Sequence, residues 1–209
     1  MTTCDGDACT RPAQVKAPPG DGEMRPGTAP SDAKLRLLLA QGNSVAVDAG
    51  TLWDDGKPVV ICVVRRFGCP FCRAGIAAIQ ARKASFSALG AKVVVVGGQA
   101  TGADKFVAAL KWDGPVYVDD AQALHRVFTG DLRNYQTWWL LKPKVAWAAS
   151  GLMKKFGGET DDLNAKSYAL GGEFVVRSGQ VVYARPEGTD FSHAKVDTLL
   201  KFCSPGVPL

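Results

Sequence analysis

The chain contains no apolar run approaching the ~20 residues that a membrane-spanning helix requires. Its first residues, Met1 to Thr10, carry neither a basic stretch nor an apolar one, so no secretory signal is expected there. Asp5 and Asp7 argue against an organelle transit peptide, since those are poor in acidic residues. The expected compartment is therefore cytoplasmic, where disulfides are mostly transient and catalytic. Histidine is scarce, with only His125 and His193, and no second ligand pair stands at zinc spacing, so no metal site is expected. No basic run is interleaved with stacking aromatics and the net charge of +5 is mild, so nucleic acid is not an expected partner. No internal repeat is present. Six cysteines in 209 residues do not make a disulfide scaffold. A hydrophobic content of 46% is that of an ordinary globular protein, and the length suits one well-packed domain.

Residues 1–31 are rich in Pro, Gly, Asp and Thr and almost free of large apolar side chains. They are expected to form a disordered tail ahead of one domain, 32–209. Ser31 and Asp32 can cap a helix over Ala33 to Gln41, ended by Gly42. Val45 and Val47 mark a short strand, and Val59 to Val64 a central strand covered on both faces. A helix is expected from Pro70 to Leu89, with Pro tolerated in the first turn. Lys92 to Val96, a helix from Thr101 to Leu110, Pro115 to Val118 and a helix from Ala121 to Phe128 continue a β-α alternation, which implies a mainly parallel sheet. Residues 131–158 break the rhythm as an aromatic, basic helical insertion containing Tyr135, Trp138, Trp139, Trp147 and Phe156. Phe174 to Arg177 and Gln180 to Ala184 flank Ser178-Gly179, a hairpin signal. A last helix is expected from His193 to Phe202.

The most informative run is Ile61-Cys62-Val63-Val64-Arg65-Arg66-Phe67-Gly68-Cys69-Pro70-Phe71-Cys72-Arg73. An apolar strand stops, two cysteines follow around Pro-Phe, and a helix begins. Unpaired N–H groups and the positive end of the helix dipole favour a thiolate at such a position. The flanking arginines push the same way. Zinc binding and burial as two small hydrophobes are the plain alternatives.

A sheet that starts parallel and ends in an antiparallel hairpin plus helix, with the dithiol at the end of a central strand, is the thioredoxin topology. The fold class expected is thus α/β, thioredoxin-like. Arg65-Arg66-Phe67-Gly68-Cys69-Pro70-Phe71-Cys72-Arg73 further resembles the Arg-Arg-x-Gly-Cys-x-x-Cys-Arg signature of the peroxiredoxin-like 2 family. That family is related to selenoprotein U and includes the prostamide/prostaglandin F synthase. Val116 to Asp120 and Leu170 to Gly179 resemble its third strand and its Gly-Gly-x-Phe-Val-Val-x-x-Gly hairpin, so the likeness covers roughly residues 45–200. The resemblance implies a peroxiredoxin-related fold and thiol-dependent reduction of a peroxide or lipid endoperoxide. No cofactor would be bound; NADPH would act indirectly, through thioredoxin or a similar dithiol donor.

On this reading Cys69 attacks and Cys72 resolves, by analogy with thioredoxin, where the first cysteine is the more exposed. The peroxiredoxin analogy, whose Thr-x-x-Cys places the reactive thiol second, points instead to Cys72. Arg66 and Arg73 are the arginines expected to act on the thiolate or on peroxide oxygens. Arg65 should face away if the strand continues. Gly171 and Gly172 replace the cis-Pro loop of thioredoxins, as a tight loop or as a site of close approach to substrate. Phe67, Pro70 and Trp138 complete the expected substrate contacts, and the segment 135–156 offers a possible membrane-surface contact beside its core role. Cys4 and Cys9 could pair within the tail. Gly97 to Gly102 with Asp119 approximates a dinucleotide fingerprint but lacks its spacing. Two other functions fit the same dithiol: a redox-responsive binding protein and a protein-disulfide reductase.

Overall fold

A computed structural model describes residues 28–39, 43–129, 143–158, 170–187 and 191–206. Residues 1–27, Gly42, Tyr135, Trp138 and Trp139 lie outside them, as do the tail cysteines Cys4 and Cys9. The described elements are β1 (Lys34–Leu38), β2 (Ser44–Asp48), β3 (Val59–Val64), α1 (Pro70–Gln80), α2 (Lys83–Ala88), β4 (Lys92–Gly97), α3 (Ala103–Leu110), β5 (Val116–Val118), α4 (Ala123–Thr129), α5 (Pro143–Phe156), β6 (Gly172–Arg177), β7 (Gln180–Pro186) and α6 (Val196–Cys203). A 3-10 turn, Ala49–Leu52, follows β2.

The seven strands form one sheet in the order β2-β1-β5-β4-β3-β6-β7. β3, β4 and β5 are parallel, whereas β6 and β7 join antiparallel beside β3. Every residue of β3 is buried, and alternation sorts its side chains between two cores. Val60, Cys62 and Val64 face a layer holding Ile76, Ile79, Phe86, Phe106 and Leu199. Val59, Ile61 and Val63 face the other layer, with Leu35, Trp53, Leu124, Phe128 and Phe174. The C-terminal end of β3 is thereby held by packing from both sides, and the dithiol follows directly from it. Among the described residues, no helix is long and apolar enough to cross a membrane.

Three expectations need correction. Residues 34–38 form a strand, not a helix: Leu35 and Leu37 alternate with Lys34 and Arg36, and this period-2 pattern pairs β1 with both β2 and β5. Leu35 is buried, while Lys34 and Arg36 meet Asp48 and Asp120 on the exposed face. The long helix from Pro70 breaks at Ala81–Arg82, where the Arg82 N–H bonds back to the Ile79 carbonyl at 3.0 Å, and α2 then carries Phe86 into the core. The domain also begins earlier than Asp32, because Ala29 is buried and its N–H donates to the Gly179 carbonyl at 2.7 Å. The hairpin at Ser178-Gly179 forms as expected.

Leu35→Ala should lower unfolding stability by about 2–5 kcal/mol, the range for deleting a buried leucine side chain. Val45→Ala on the exposed edge should change it by less than about 0.5 kcal/mol. Urea unfolding of the two variants checks this; a silent Leu35→Ala would remove Leu35 from the core.

Candidate active site

Strand β3 ends at Val64, and the next five residues turn the chain into α1. The turn closes where the Cys69 N–H donates to the Arg66 carbonyl at 3.2 Å, and Cys69 becomes the N-cap of α1, its carbonyl accepting the Arg73 N–H at 3.0 Å. Pro70 occupies the first turn. Both thiols are free and buried, with Cys69 1% and Cys72 2% exposed. Cys69 is therefore not the exposed thiol that the thioredoxin analogy suggests.

The cation on Cys69 is Arg65, whose Nη2 donates to Cys69 Sγ at 3.0 Å. Alternation along a strand had turned Arg65 away, but the strand stops one residue before it, so alternation no longer applies. The same guanidinium pairs through Nε with Glu187 Oε2 at 2.9 Å and lies 4.7 Å over the Phe191 ring, which stacks on Phe71 at 4.7 Å. Burial opposes the charge on Arg65, but Glu187, Cys69 and Cys72 outweigh it and hold the guanidinium protonated.

The two thiols are driven apart. The Cys72 thiol donates a hydrogen bond that holds Cys69 well below the usual thiol range, against the cost of burial; Arg65, the Cys72 backbone N–H and Arg66 add to the effect. The same bond, with burial and the charges of Cys69 and Glu187, pushes Cys72 well above that range. The arrangement favours the thiolate on Cys69 and the thiol on Cys72.

The other expected residues occupy different roles. Arg66 supplies charge near Cys69, behind Arg65. Arg73 is 2% exposed; its Nε donates to the Phe67 carbonyl at 2.7 Å and its Nη1 to the Phe156 carbonyl at 3.4 Å, so it braces the loop against α5. Phe67 is turned into the core against Phe106, 5.3 Å between ring centroids, and leaves no surface for substrate. Gly171 and Gly172 are required by backbone proximity: a Cβ on Gly171 would stand 2.6 Å from the Val63 carbonyl, and one on Gly172, at φ +155°, 2.5 Å from the Arg185 carbonyl. Trp138 lies outside the described residues; Trp147 on α5 is 82% exposed. Asp119 is no ribose ligand, since its carboxylate accepts the Ala123 and His125 N–H groups at 2.9 and 3.0 Å and caps α4.

A second, partly buried pair stands behind α1. His193 Nδ1 bonds Glu173 Oε1 at 2.6 Å and Nε2–H donates to the Phe71 carbonyl at 2.8 Å. Glu173 Oε2 accepts the Ala194 N–H at 2.9 Å. The ring fits because Gly75 has no side chain; a Cβ there would be 2.6 Å from it. Burial disfavours the imidazolium, but Glu173, Glu187 and the Phe71 carbonyl raise His193 to about 9. A carboxylate and a carbonyl as its two partners require both ring nitrogens to carry protons. Sequence reasoning considered His193 only as a zinc ligand and overlooked Glu173 and Glu187. A signal existed for Glu173: a charged residue next to the apolar run Phe174-Val175-Val176 of a largely buried strand needs a partner.

A seven-stranded mixed sheet with a Cys-x-x-Cys opening the helix after its central parallel strand defines a thioredoxin-like protein of the peroxiredoxin type. The chain matches the family model for AhpC/TSA antioxidant enzymes over residues 78–188, just over half its length, and belongs to that family. The matched span begins beyond Cys72. The prostamide/prostaglandin F synthase of Salmo salar is 33% identical over 89 residues, 43% of this chain and 44% of the relative. That of Danio rerio is 30% identical over 80 residues, covering 38% and 39%. The chain thus spans less than half the length of these curated relatives. The fold is shared with the Xanthomonas campestris bacterioferritin comigratory protein (TM-score 0.56, 19% identity, 88% of this chain and 97% of that one). It is shared also with Xylella fastidiosa PrxQ (TM-score 0.56, 13% identity, 86% and 92%).

Two predictions follow from the charges. Arg65→Met should move the thiolate absorbance of Cys69 to higher pH and slow its alkylation at pH 7 by about tenfold or more, with Arg66→Met doing less; equal effects would remove the special place of Arg65. The folded-state pKa of His193 is raised to about 9 from 6.5, so its contribution is complete below 6.5 and is lost as pH rises through 9. Wild type should therefore exceed His193→Gln in stability by up to ~3 kcal/mol at pH 6, converging above pH 9. A difference independent of pH in denaturant titrations would contradict this.

Proposed function

We propose that this protein is a thiol oxidoreductase that reduces a peroxide or lipid endoperoxide through Cys69 and Cys72. The observation that carries the reading is the polarised dithiol: a Cys69 thiolate held by the Arg65 guanidinium and the Cys72 thiol, in a chain of the AhpC/TSA antioxidant family. The Cys69 sulfur attacks one oxygen of the O–O bond, which breaks: a hydroperoxide leaves a sulfenic acid on the sulfur, an endoperoxide a sulfenate ester that still carries the lipid, and in both cases the departing alkoxide takes a proton from solvent to become an alcohol. Cys72 then displaces that oxygen, forming the disulfide and releasing water from the sulfenic acid or the second lipid hydroxyl from the sulfenate ester. Thioredoxin or a similar dithiol reopens it, with NADPH as the ultimate donor.

Arg65 suits this chemistry because its guanidinium can lower the thiolate pKa and donate to a developing oxyanion at once. The burial of both thiols favours a small O–O substrate over a folded protein disulfide, which would need the site to open further. The names of the Salmo salar and Danio rerio relatives make prostamide and prostaglandin precursors the first lipid substrates to test. Trp147, exposed on α5, supports contact of the 135–156 segment with an apolar substrate or membrane surface. Recycling by a thioredoxin-type donor suits a cytoplasmic setting.

In an NADPH-coupled thioredoxin assay, hydrogen peroxide, an alkyl hydroperoxide or a prostaglandin endoperoxide should be turned over, and insulin should not. Cys69→Ser should abolish turnover with the fold intact, while Cys72→Ser should be oxidised once at Cys69 and stop. Full activity in Cys69→Ser would refute the assignment of the attacking thiol.

A further inference from the structure

Glu187 is a carboxylate taken out of water next to the dithiol, and half of it is accounted for. Its Oε2 meets Arg65 Nε at 2.9 Å and accepts the Gly171 N–H at 3.1 Å, while its own N–H donates to the Gly171 carbonyl at 2.8 Å. Its side chain is 1% exposed. The remaining oxygen, Oε1, is buried with no hydrogen-bond partner among the described residues. A buried carboxylate oxygen without a donor is costly to maintain and is rarely left so without a use. One guanidinium joins this carboxylate to Cys69, because Arg65 holds Glu187 through Nε and Cys69 Sγ through Nη2. The charges that act on Glu187 are Arg65 at the end of β3, Cys69 at the start of α1 and His193 ahead of α6, with Glu173 of β6 bonded to His193, and Glu187 in turn acts on Cys72 one turn into α1.

We infer, on the basis of the dithiol reading above, that Glu187 is the proton acceptor for Cys72 in the resolving step. The need is specific. Cys72 must lose its proton to become a nucleophile, yet its surroundings hold that proton firmly. Once Cys69 is oxidised to the sulfenic acid, its negative charge is gone. Arg65 and Glu187 then remain, and Oε1 is the open acceptor. Glu187 takes the Cys72 proton, the Cys72 sulfur attacks the Cys69 sulfur, the S–O bond breaks, and the departing hydroxide takes the proton from Glu187 to leave as water. Cys72 is oxidised, the sulfenic sulfur is reduced, and no external proton is consumed. Burial raises Glu187 above the ordinary carboxylate range, opposed by Arg65, His193 and the Gly171 N–H, and this burial persists after the added push of the Cys69 thiolate ends with oxidation; a raised carboxyl suits a group that must take and return a proton.

Glu187→Gln keeps the shape and the acceptor oxygen toward Arg65 but cannot take a proton. Rapid mixing with hydrogen peroxide, with a sulfenic-acid trap, should show Cys69 oxidised within about threefold of the wild-type rate. Disulfide formation should fall about 100-fold or more, so that sulfenic acid accumulates. A second arm loads Cys69 as a mixed disulfide with glutathione and follows glutathione release by Cys72, which needs the same deprotonation but no peroxide. Release should be slowed similarly in Glu187→Gln, and its rise with pH should move to the alkaline side. Glu187→Asp, which retains a carboxylate, should recover part of both rates if the protein is folded by circular dichroism. If wild type ignores peroxide yet the mixed-disulfide arm shows the slowing, the peroxide reading fails and the role of Glu187 stands. Wild-type resolution in both arms, or equal loss in the oxidation and resolution of Cys69, would overturn the inference.

Discussion

The site depends on one guanidinium. Arg65 leaves the sheet at the end of β3 and meets Cys69, Glu187 and the face of Phe191 together. Removing one partner of a buried ion pair typically costs about 3–5 kcal/mol, because the survivor keeps its charge without compensation. Arg65 is therefore both a structural and a chemical element. The same contact that offsets the desolvation of Glu187 stabilises a thiolate that would otherwise be unfavourable in an apolar setting. A lysine could supply the charge but not the planar fork that reaches a carboxylate through one nitrogen and a sulfur through another.

That contact exists because three chain segments converge. β3 delivers Arg65 and the dithiol, β6 enters with Gly171 and Gly172 packed against the last residues of β3, and Glu187 follows the end of β7. The glycines let the backbones approach within distances that a side chain would forbid, bringing Glu187 to within a hydrogen bond of the Gly171 N–H. Behind α1, the Glu173–His193 pair holds the Phe71 carbonyl inside the Cys-x-x-Cys turn. A stiff first turn suits a dithiol whose two sulfurs must stay in hydrogen-bond contact when reduced and still close to a disulfide.

Much of the scaffold was legible because its signals are local. Val59 to Val64 is a run of β-branched and apolar residues that only a doubly covered strand accommodates, and Ser178-Gly179 between two apolar runs marks a hairpin. The helix misplaced over residues 33–41 failed for an equally local reason. Lys-Leu-Arg-Leu-Leu-Leu satisfies both periods over so short a span, and pairing with β2 and β5 decided between them. Arg65 was passed over because alternation was carried one residue beyond the strand. Phe67 and Arg73 flank the dithiol in sequence, but packing turned one into the core and the other toward backbone carbonyls.

The sequence by itself determined the dithiol, its place at a helix start after a central strand, and the family likeness, because these rest on neighbours within a dozen residues. Tertiary structure decided which arginine holds the thiolate, and that a glutamate more than a hundred residues away shares it. It also set His193 between the Glu173 carboxyl and the Phe71 carbonyl, which favours its protonated form. Those outcomes are electrostatic, and the charges concerned are strong only because folding removed them from water and set them within a few ångströms of one another.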